Sequence, residues 1–134
     1  MTPTIVFLLL PLLLLPEVRT KEYEFVPIEI KVVNSVKDTP AETFGASVVK
    51  GGILLGAMRR LMSSNIGFKF SIQEDEHFGP FLESVNGLSG SDRDHTYWEL
   101  LVKTPTGETI RLDAGIGCYV PKAHEQIILN FNKW

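Results

Sequence analysis

The stretch DHTYWELLVKTPTGETIRL, residues 94–112, decides the fold because it contains two strand-forming runs joined by a turn. Tyr97 and Trp98 open an apolar run that continues to Val102, and Pro and Gly follow before the apolar pattern resumes. Adjacent side chains of a strand point to opposite faces, so Tyr97 and Trp98 cannot both enter the same core. The stretch therefore predicts a hairpin with one aromatic in the core and the other available for a different role.

Outward from this hairpin, the apolar spacing predicts one helix and several more strands. Alternating apolar residues predict strands over 28–33, 44–49, 68–72 and 126–131, in addition to 97–103 and 109–112. From Ile53 the spacing becomes helical, and one face of the predicted helix carries Leu54, Leu55, Met58, Leu61 and Met62. This order predicts an α+β fold with a beta-grasp-like mixed sheet and one main helix packed across it.

Residues 72–95 are rich in Gly, Ser and Asp, so we interpret them as a long loop. The loop nevertheless carries an apolar cluster that water cannot cover favourably: Phe78, Phe81, Leu82, Val85 and Leu88. We expect another part of the molecule or a ligand to cover this cluster.

The amino terminus of the 134-residue chain contains the uninterrupted apolar run IVFLLLPLLLLP. This run is short for a membrane span, and Val18 and Thr20 stand at the spacing of a signal-peptidase site. We predict a secretory signal over residues 1–20 and one mature domain over residues 21–134. The protein is then extracellular and leaves the membrane after cleavage; an uncleaved anchor is the alternative.

Charge and residue composition exclude several classes of function. The net charge is −3 and the Lys and Arg residues are scattered singly, so no basic stripe favours nucleic acid. Cys118 is the only cysteine, which rules out an internal disulfide. The three histidines lack the paired spacing of a metal site and no nucleophile motif occurs, so we predict neither an enzyme nor a bound cofactor.

Three short motifs in a fixed order carry a resemblance to a known family. They are SVVKGGILL at residues 47–55, TYWELL at residues 96–101 and AGIGCYVP at residues 114–121. In this order they resemble the carboxy-terminal beta domain of the vitamin B12 carriers, the family of transcobalamin, intrinsic factor and haptocorrin. The resemblance implies a beta-grasp-like domain that covers one side of the corrin ring of cobalamin, as a bound ligand.

The resemblance also implies a set of ligand contacts, in the loop before TYWELL and along the hairpin that begins there. The matching positions in this chain are His77, Phe78, Gly79, Pro80, Phe81, Leu82, Trp98, Glu99, Leu100, Leu101 and Leu112. A corrin is a wide, mostly apolar plate ringed by amides, which suits aromatic and Leu side chains beside backbone donors and acceptors.

Individual residues of this set carry further expectations and alternatives. We expect Tyr97 to face the core and Trp98 to line the ligand surface; alternatively Trp98 packs beneath the apolar loop cluster. His77 is a speculative axial ligand for cobalt, against the alternative of a solvated histidine beside the acidic residues 74–76. Cys118 stands where the family has Asp; a lone thiol can pair between chains, but a buried, inert thiol is the more common situation.

The resemblance covers the predicted mature domain but not the helical alpha domain of the carriers. We therefore expect a half-module that binds cobalamin or a related corrinoid, with an alpha-domain-like protein or a receptor acting in trans. The alternative function is a secreted protein-interaction module that keeps the fold and has lost cobalamin.

Overall fold

The computed structural model describes residues 22–77 and 79–134. The predicted signal sequence, residues 1–20, and the predicted ligand residue Phe78 lie outside the described residues. Within the described ranges, no helix has the length and apolar character needed to cross a membrane.

Eight strands and one helix make up the described chain. In chain order they are β1 Phe25–Asn34, β2 Glu42–Val49, α1 Leu54–Ser63, β3 Phe70–Asp75, β4 Gly79–Val85, β5 Leu88–Ser89, β6 Thr96–Lys103, β7 Thr109–Arg111 and β8 Gln126–Lys133. Five strands form a mixed sheet in the order β2-β1-β8-β6-β7, in which β1 and β8 are parallel. This arrangement confirms the predicted α+β class and its beta-grasp-like sheet.

The helix packs on one face of this sheet, which we call the core face. The helix buries five side chains there, against the inward residues of β1, β2 and β8. The largest fully buried side chains of this core are Phe68, Ile30, Leu54, Met58, Ile127 and Leu129. The opposite face of the sheet, the open face, carries the alternate residues of the same strands.

The prediction of one long loop over residues 72–95 is wrong, because residues 72–75, 79–85 and 88–89 lie in strands. β3, β4 and β5 form a second, three-stranded antiparallel sheet, so the predicted third strand belongs to this sheet instead of the main one. β4 and β5 are joined at Asn86 and Gly87, both with positive φ (49° and 86°), which is the geometry of a tight two-residue hairpin. The Asn-Gly pair is the signal that should have predicted this hairpin.

The segment between β7 and β8 fixes the start of α1. Ile53 precedes the helix and makes no capping hydrogen bond with its side chain. Instead, the amides of Leu54 and Leu55 donate to the carbonyls of Tyr119 (2.8 Å) and Ile116 (2.9 Å). The AGIGCYVP motif therefore satisfies two amides that a helix amino terminus leaves without partners.

A buried carboxylate stabilises the same segment. Glu125 is only 6% exposed, and its Oε1 accepts hydrogen bonds from the Tyr119 hydroxyl (2.7 Å) and the Lys122 amide (2.9 Å). Burial, followed by the hydrogen bond to Glu125 and its charge, raises the pKa of Tyr119 far above its ordinary value.

This raised pKa predicts a loss of stability in alkali. The folded protein keeps the Tyr119 proton, whereas the unfolded chain releases it above pH ~10, so the stabilisation is complete below that pH and declines as pH rises further. We expect the melting temperature of the wild type to fall more steeply above pH ~10 than that of Tyr119→Phe. Parallel curves for the two proteins would contradict this expectation.

Candidate functional site

Two adjacent clefts lie where β6 of the main sheet meets β4 of the second sheet. Cleft A has a volume of about 190 Å³ and is lined by Phe81, Leu82, Tyr97, Trp98, Glu99, Leu100, Arg111, Leu112, Asp113, Ala114, Gly115 and Ile116. Cleft B, of about 460 Å³, is lined by Gln73, Phe81, Leu82, Glu83, Ser89, Gly90, Ser91, Asp92, Thr96, Tyr97, Trp98 and Trp134. Phe81, Leu82, Tyr97 and Trp98 belong to both clefts.

The structure reverses the predicted directions of Tyr97 and Trp98. Trp98 is paired with Phe131, lies on the core face and packs against the core, with its ring centroid 5.1 Å from that of Phe131. Its indole nitrogen donates to the Leu88 carbonyl at 2.9 Å, so Trp98 also contacts β5, while its side chain lines both clefts. The expectation that Tyr97 faces the core was wrong, because alternation separates two neighbours without saying which one is inside.

Trp98 is nevertheless only partly buried, and its backbone lies at an open edge of the sheet. The amides of Thr96 and Ser91 each donate to the other's carbonyl, and the Leu112 amide donates to the Leu100 carbonyl (3.0 Å). Since the backbone groups of alternate residues in a strand point the same way, the N–H and C=O of Trp98 also point away from β8. In the described chain neither Ser91 nor β7, which starts pairing at Leu101, covers Trp98, so its N–H and C=O face the gap beside the clefts.

The wall of cleft A on the core side is apolar. Leu100, Leu112 and Trp98 pack against the core while remaining partly exposed, and Phe81 is 44% exposed. These are four of the predicted ligand residues, and Leu82 joins them in the same cleft. The cleft thus offers an apolar surface beside a free backbone donor and acceptor.

The wall of cleft A on the open-face side is polar, and its side chains hydrogen-bond to one another and to neighbouring residues of the sheet. Glu99 accepts hydrogen bonds from the side-chain amides of Asn130 (3.0 Å) and Asn132 (3.3 Å), and it lies 3.5 Å from the Arg111 guanidinium. Arg111 also donates to the Tyr97 hydroxyl at 3.1 Å. Glu99 therefore lines the cleft with its charge balanced, and Arg111 is a lining residue that the sequence did not predict.

Pro80 and Gly79 lie behind the wall instead of lining it. A Cβ atom placed on Gly117 would lie 2.7 Å from the Cγ of Pro80, so only glycine allows this close approach. The contact holds the start of β4 against the segment that contributes Gly115 and Ile116 to cleft A. Pro80 is in this way a supporting residue for the site.

Two further predicted ligand residues do not line the clefts. Leu101 lies on the open face, opposite Ile128. His77 lies at the turn between β3 and β4, where its amide donates to Asp75 Oδ1 at 2.8 Å and its imidazole lies 3.7 Å from the same oxygen. The structure thus separates His77 from Trp98, and its described residues contain no group of three metal-ligating side chains.

Cys118 is exposed, so the expectation of a buried thiol is wrong. Its neighbours Ile116 and Tyr119 turn toward the interior and leave the Cys118 side chain on the outside of the turn. Glu74 and Glu76 are exposed; Glu74 belongs to β3, and Glu76 lies in the turn that follows it.

Comparison with known proteins finds relatives that are named for cobalamin. No protein-family model matches the chain. It is 34% identical over 94 residues to cobalamin binding intrinsic factor of Canis lupus familiaris, covering 69% of this chain and 21% of that protein. It is 29% identical over 105 residues to Transcobalamin-1 of Homo sapiens, covering 78% and 23%. The chain therefore spans about a fifth of the length of these relatives.

Solved structures share the fold. Haptocorrin in complex with Cbi matches with a TM-score of 0.69 and 24% identity, over 87% of this chain and 27% of that one. A chain from Ruminococcus gnavus ATCC 29149 matches with a TM-score of 0.58 and 16% identity, over 81% of this chain and 98% of that one. In the second case the shared fold accounts for nearly the whole solved chain.

Proposed function

The chain is homologous to the beta domain of the intrinsic factor, transcobalamin and haptocorrin carriers, and we propose that it binds cobalamin or a related corrinoid in cleft A. In this proposal the protein covers one side of the corrin ring and takes part in corrinoid transport. It acts as a binding protein without catalysis.

The observation that carries the proposal is the unpaired edge of β6 beside an apolar wall. A corrin presents a flat apolar surface with amide side chains around its rim. The amides can pair with the N–H and C=O of Trp98, while the plate rests on Phe81, Leu100 and Leu112. Neither contact requires a net charge, which agrees with the balanced pairing of Glu99 and Arg111.

The size of the clefts bears on how strongly the ligand is held. Cleft A and cleft B are open surfaces of one domain, and a corrin placed there keeps its other face in water. Binding by a single wall lacks the effective concentration that a tethered second wall supplies. We therefore include in the proposal an alpha-domain-like protein that covers the other face in trans.

Titration of the purified protein with hydroxocobalamin in a calorimeter tests this function. We expect saturable binding, retention of the red ligand through gel filtration, and a gain in affinity when the helical alpha domain of a related carrier is added. Full affinity without the added domain would refute the single-wall argument. Absence of any binding by folded protein would refute the proposal and favour the alternative, a protein-interaction module that uses the exposed apolar residues of β4 and β5.

The same titration tests the suggestion that His77 ligates cobalt. Coordination by His77 predicts an imidazole-type spectral shift that disappears in His77→Ala and persists in His95→Ala and His124→Ala. Its position outside both clefts favours binding without such a shift.

Secretion is part of the proposal, with residues 1–20 removed as a signal sequence. Amino-terminal sequencing of protein collected from the medium of expressing cells tests it, since the mature chain should begin near Lys21. Protein that stays in the cell membrane with its amino terminus intact would favour the uncleaved anchor.

A further inference from the structure

Trp134 is held at the rim of cleft B although 60% of it is exposed. Its amide donates to the His95 carbonyl at 2.9 Å, and His95 adopts a positive φ of 57°. The Trp134 ring meets the rings of His95 and Tyr97 edge-on, with centroid distances of 5.2 Å and 5.9 Å. A backbone hydrogen bond and two ring contacts thus fix an indole that buries little of its own surface.

Cleft B brings this indole together with other aromatic side chains. Trp98 and Tyr97 lie on opposite faces of the sheet, and both line cleft B because the cleft crosses the edge of β6. Phe81 of the second sheet completes the aromatic lining. The side chains supply several π surfaces around a volume of about 460 Å³, which suits a flat group of one or two fused rings.

The charged residues that line cleft B are all acidic. The acidic residues Glu83 and Asp92 line the cleft, together with the polar residues Gln73, Ser89 and Ser91. No Lys or Arg of the described chain lines this cleft. A positive charge or an N–H donor is therefore favoured beside the rings, and an anionic group is disfavoured.

We propose that cleft B is a second binding subsite, which takes a flat aromatic group bearing a cationic or N–H-donating substituent and stacks it against Trp134. The subsite differs from cleft A in Trp134, Glu83 and Asp92, which do not line that cleft, although the two clefts share Phe81, Leu82, Tyr97 and Trp98. Trp134 provides the aromatic surface, and the carboxylates select the charge.

Three small probes test the proposal on isotope-labelled protein, with the indole N–H signals of Trp98 and Trp134 as reporters in NMR titrations. Tryptamine combines a flat ring with an ammonium group, indole-3-acetate replaces the charge by its opposite, and cyclohexylethylamine keeps the ammonium group without a flat ring. We expect tryptamine to shift the Trp134 signal and to bind at least about fivefold more tightly than either other probe.

Variants distinguish binding at the subsite from non-specific binding to exposed apolar side chains. Trp134→Ala should weaken tryptamine binding about fivefold while the fold is retained, since most of this side chain is in solvent, and Trp134→Phe should preserve most of the binding. Ile110→Ala removes another exposed apolar side chain, 43% exposed and outside cleft B, and serves as the matched control.

Equal tryptamine binding by wild type and Trp134→Ala, or tighter binding of indole-3-acetate, would overturn the proposal. Its failure can be distinguished from failure of the proposed function. If the protein binds hydroxocobalamin but not tryptamine, the proposed function of cleft A stands and the subsite in cleft B is refuted. If the protein binds tryptamine through Trp134 but does not bind hydroxocobalamin, the subsite in cleft B stands and the proposed function of cleft A is refuted.

Discussion

Replacement of Trp98 by alanine is expected to lower the affinity for hydroxocobalamin about 30-fold, close to 2 kcal/mol, as for truncation of a buried aromatic anchor. The indole lines both clefts, and its hydrogen bond to Leu88 holds β5 in place behind Phe81. Removal of the ring therefore takes away ligand contact and loosens the wall at the same time. Calorimetric titration at a temperature well below the melting transition measures the change.

Because Trp98 also packs on Phe131, the alanine variant could lose stability as well as ligand contact, and a second variant separates the two effects. Trp98→Phe retains one aromatic ring against Phe131 and loses the indole N–H and the second fused ring, so it should bind more tightly than Trp98→Ala. Circular dichroism establishes whether each variant is folded. A folded Trp98→Ala protein that binds hydroxocobalamin as the wild type does would place the ligand wall elsewhere.

Replacement of Glu125 by alanine is expected to cost about 2–4 kcal/mol of unfolding free energy, because it removes a buried acceptor and leaves two part-buried donors without their partner. Those donors are the Tyr119 hydroxyl and the Lys122 amide, which both reach Glu125 Oε1. Denaturant unfolding measures the loss. Glu125→Gln keeps a carbonyl oxygen at this position and should lose less.

Glu108→Ala is the matched control for Glu125→Ala, since Glu108 is exposed and bonds to Thr104 through its backbone N–H and C=O. It should change the unfolding free energy by less than about 0.5 kcal/mol. Equal losses in Glu125→Ala and Glu108→Ala would show that the buried carboxylate does not stabilise the segment between β7 and β8.

The main sheet and the helix were predictable because each follows one hydrophobic period over many residues. Alternation from Ile28 to Val33 and the helical spacing from Leu54 to Met62 both correspond to elements of the structure. The second sheet was missed because Gly79 and Pro80 begin β4 and polar residues surround β5, so composition suggested a loop. The Asn86–Gly87 hairpin signal was specific enough to override that composition.

The candidate site was predictable only in part, for a different physical reason. Four residues that the family resemblance implied as ligand contacts, Phe81, Trp98, Leu100 and Leu112, lie together in cleft A, and their contact with a ligand stays a prediction. Arg111 reaches cleft A because β7 pairs with β6, and Trp134 reaches cleft B because its amide bonds to the His95 carbonyl. Neither contact can be predicted from the neighbouring sequence. The sequence around Glu125, KAHEQ, is typical of an exposed turn, and the hydrogen bonds from the Tyr119 hydroxyl and the Lys122 amide explain why the carboxylate is buried.

The carbonyls that cap α1 link the helix to the ligand wall. Residues 115–116 line cleft A, and the carbonyls of Ile116 and Tyr119 hold the first amides of the helix. Local unfolding of this segment would therefore expose the helix start and dismantle the cleft in one cooperative event. A molecule bound in cleft A favours the closed state by mass action, so it protects the first turn of α1 from opening without contacting that turn.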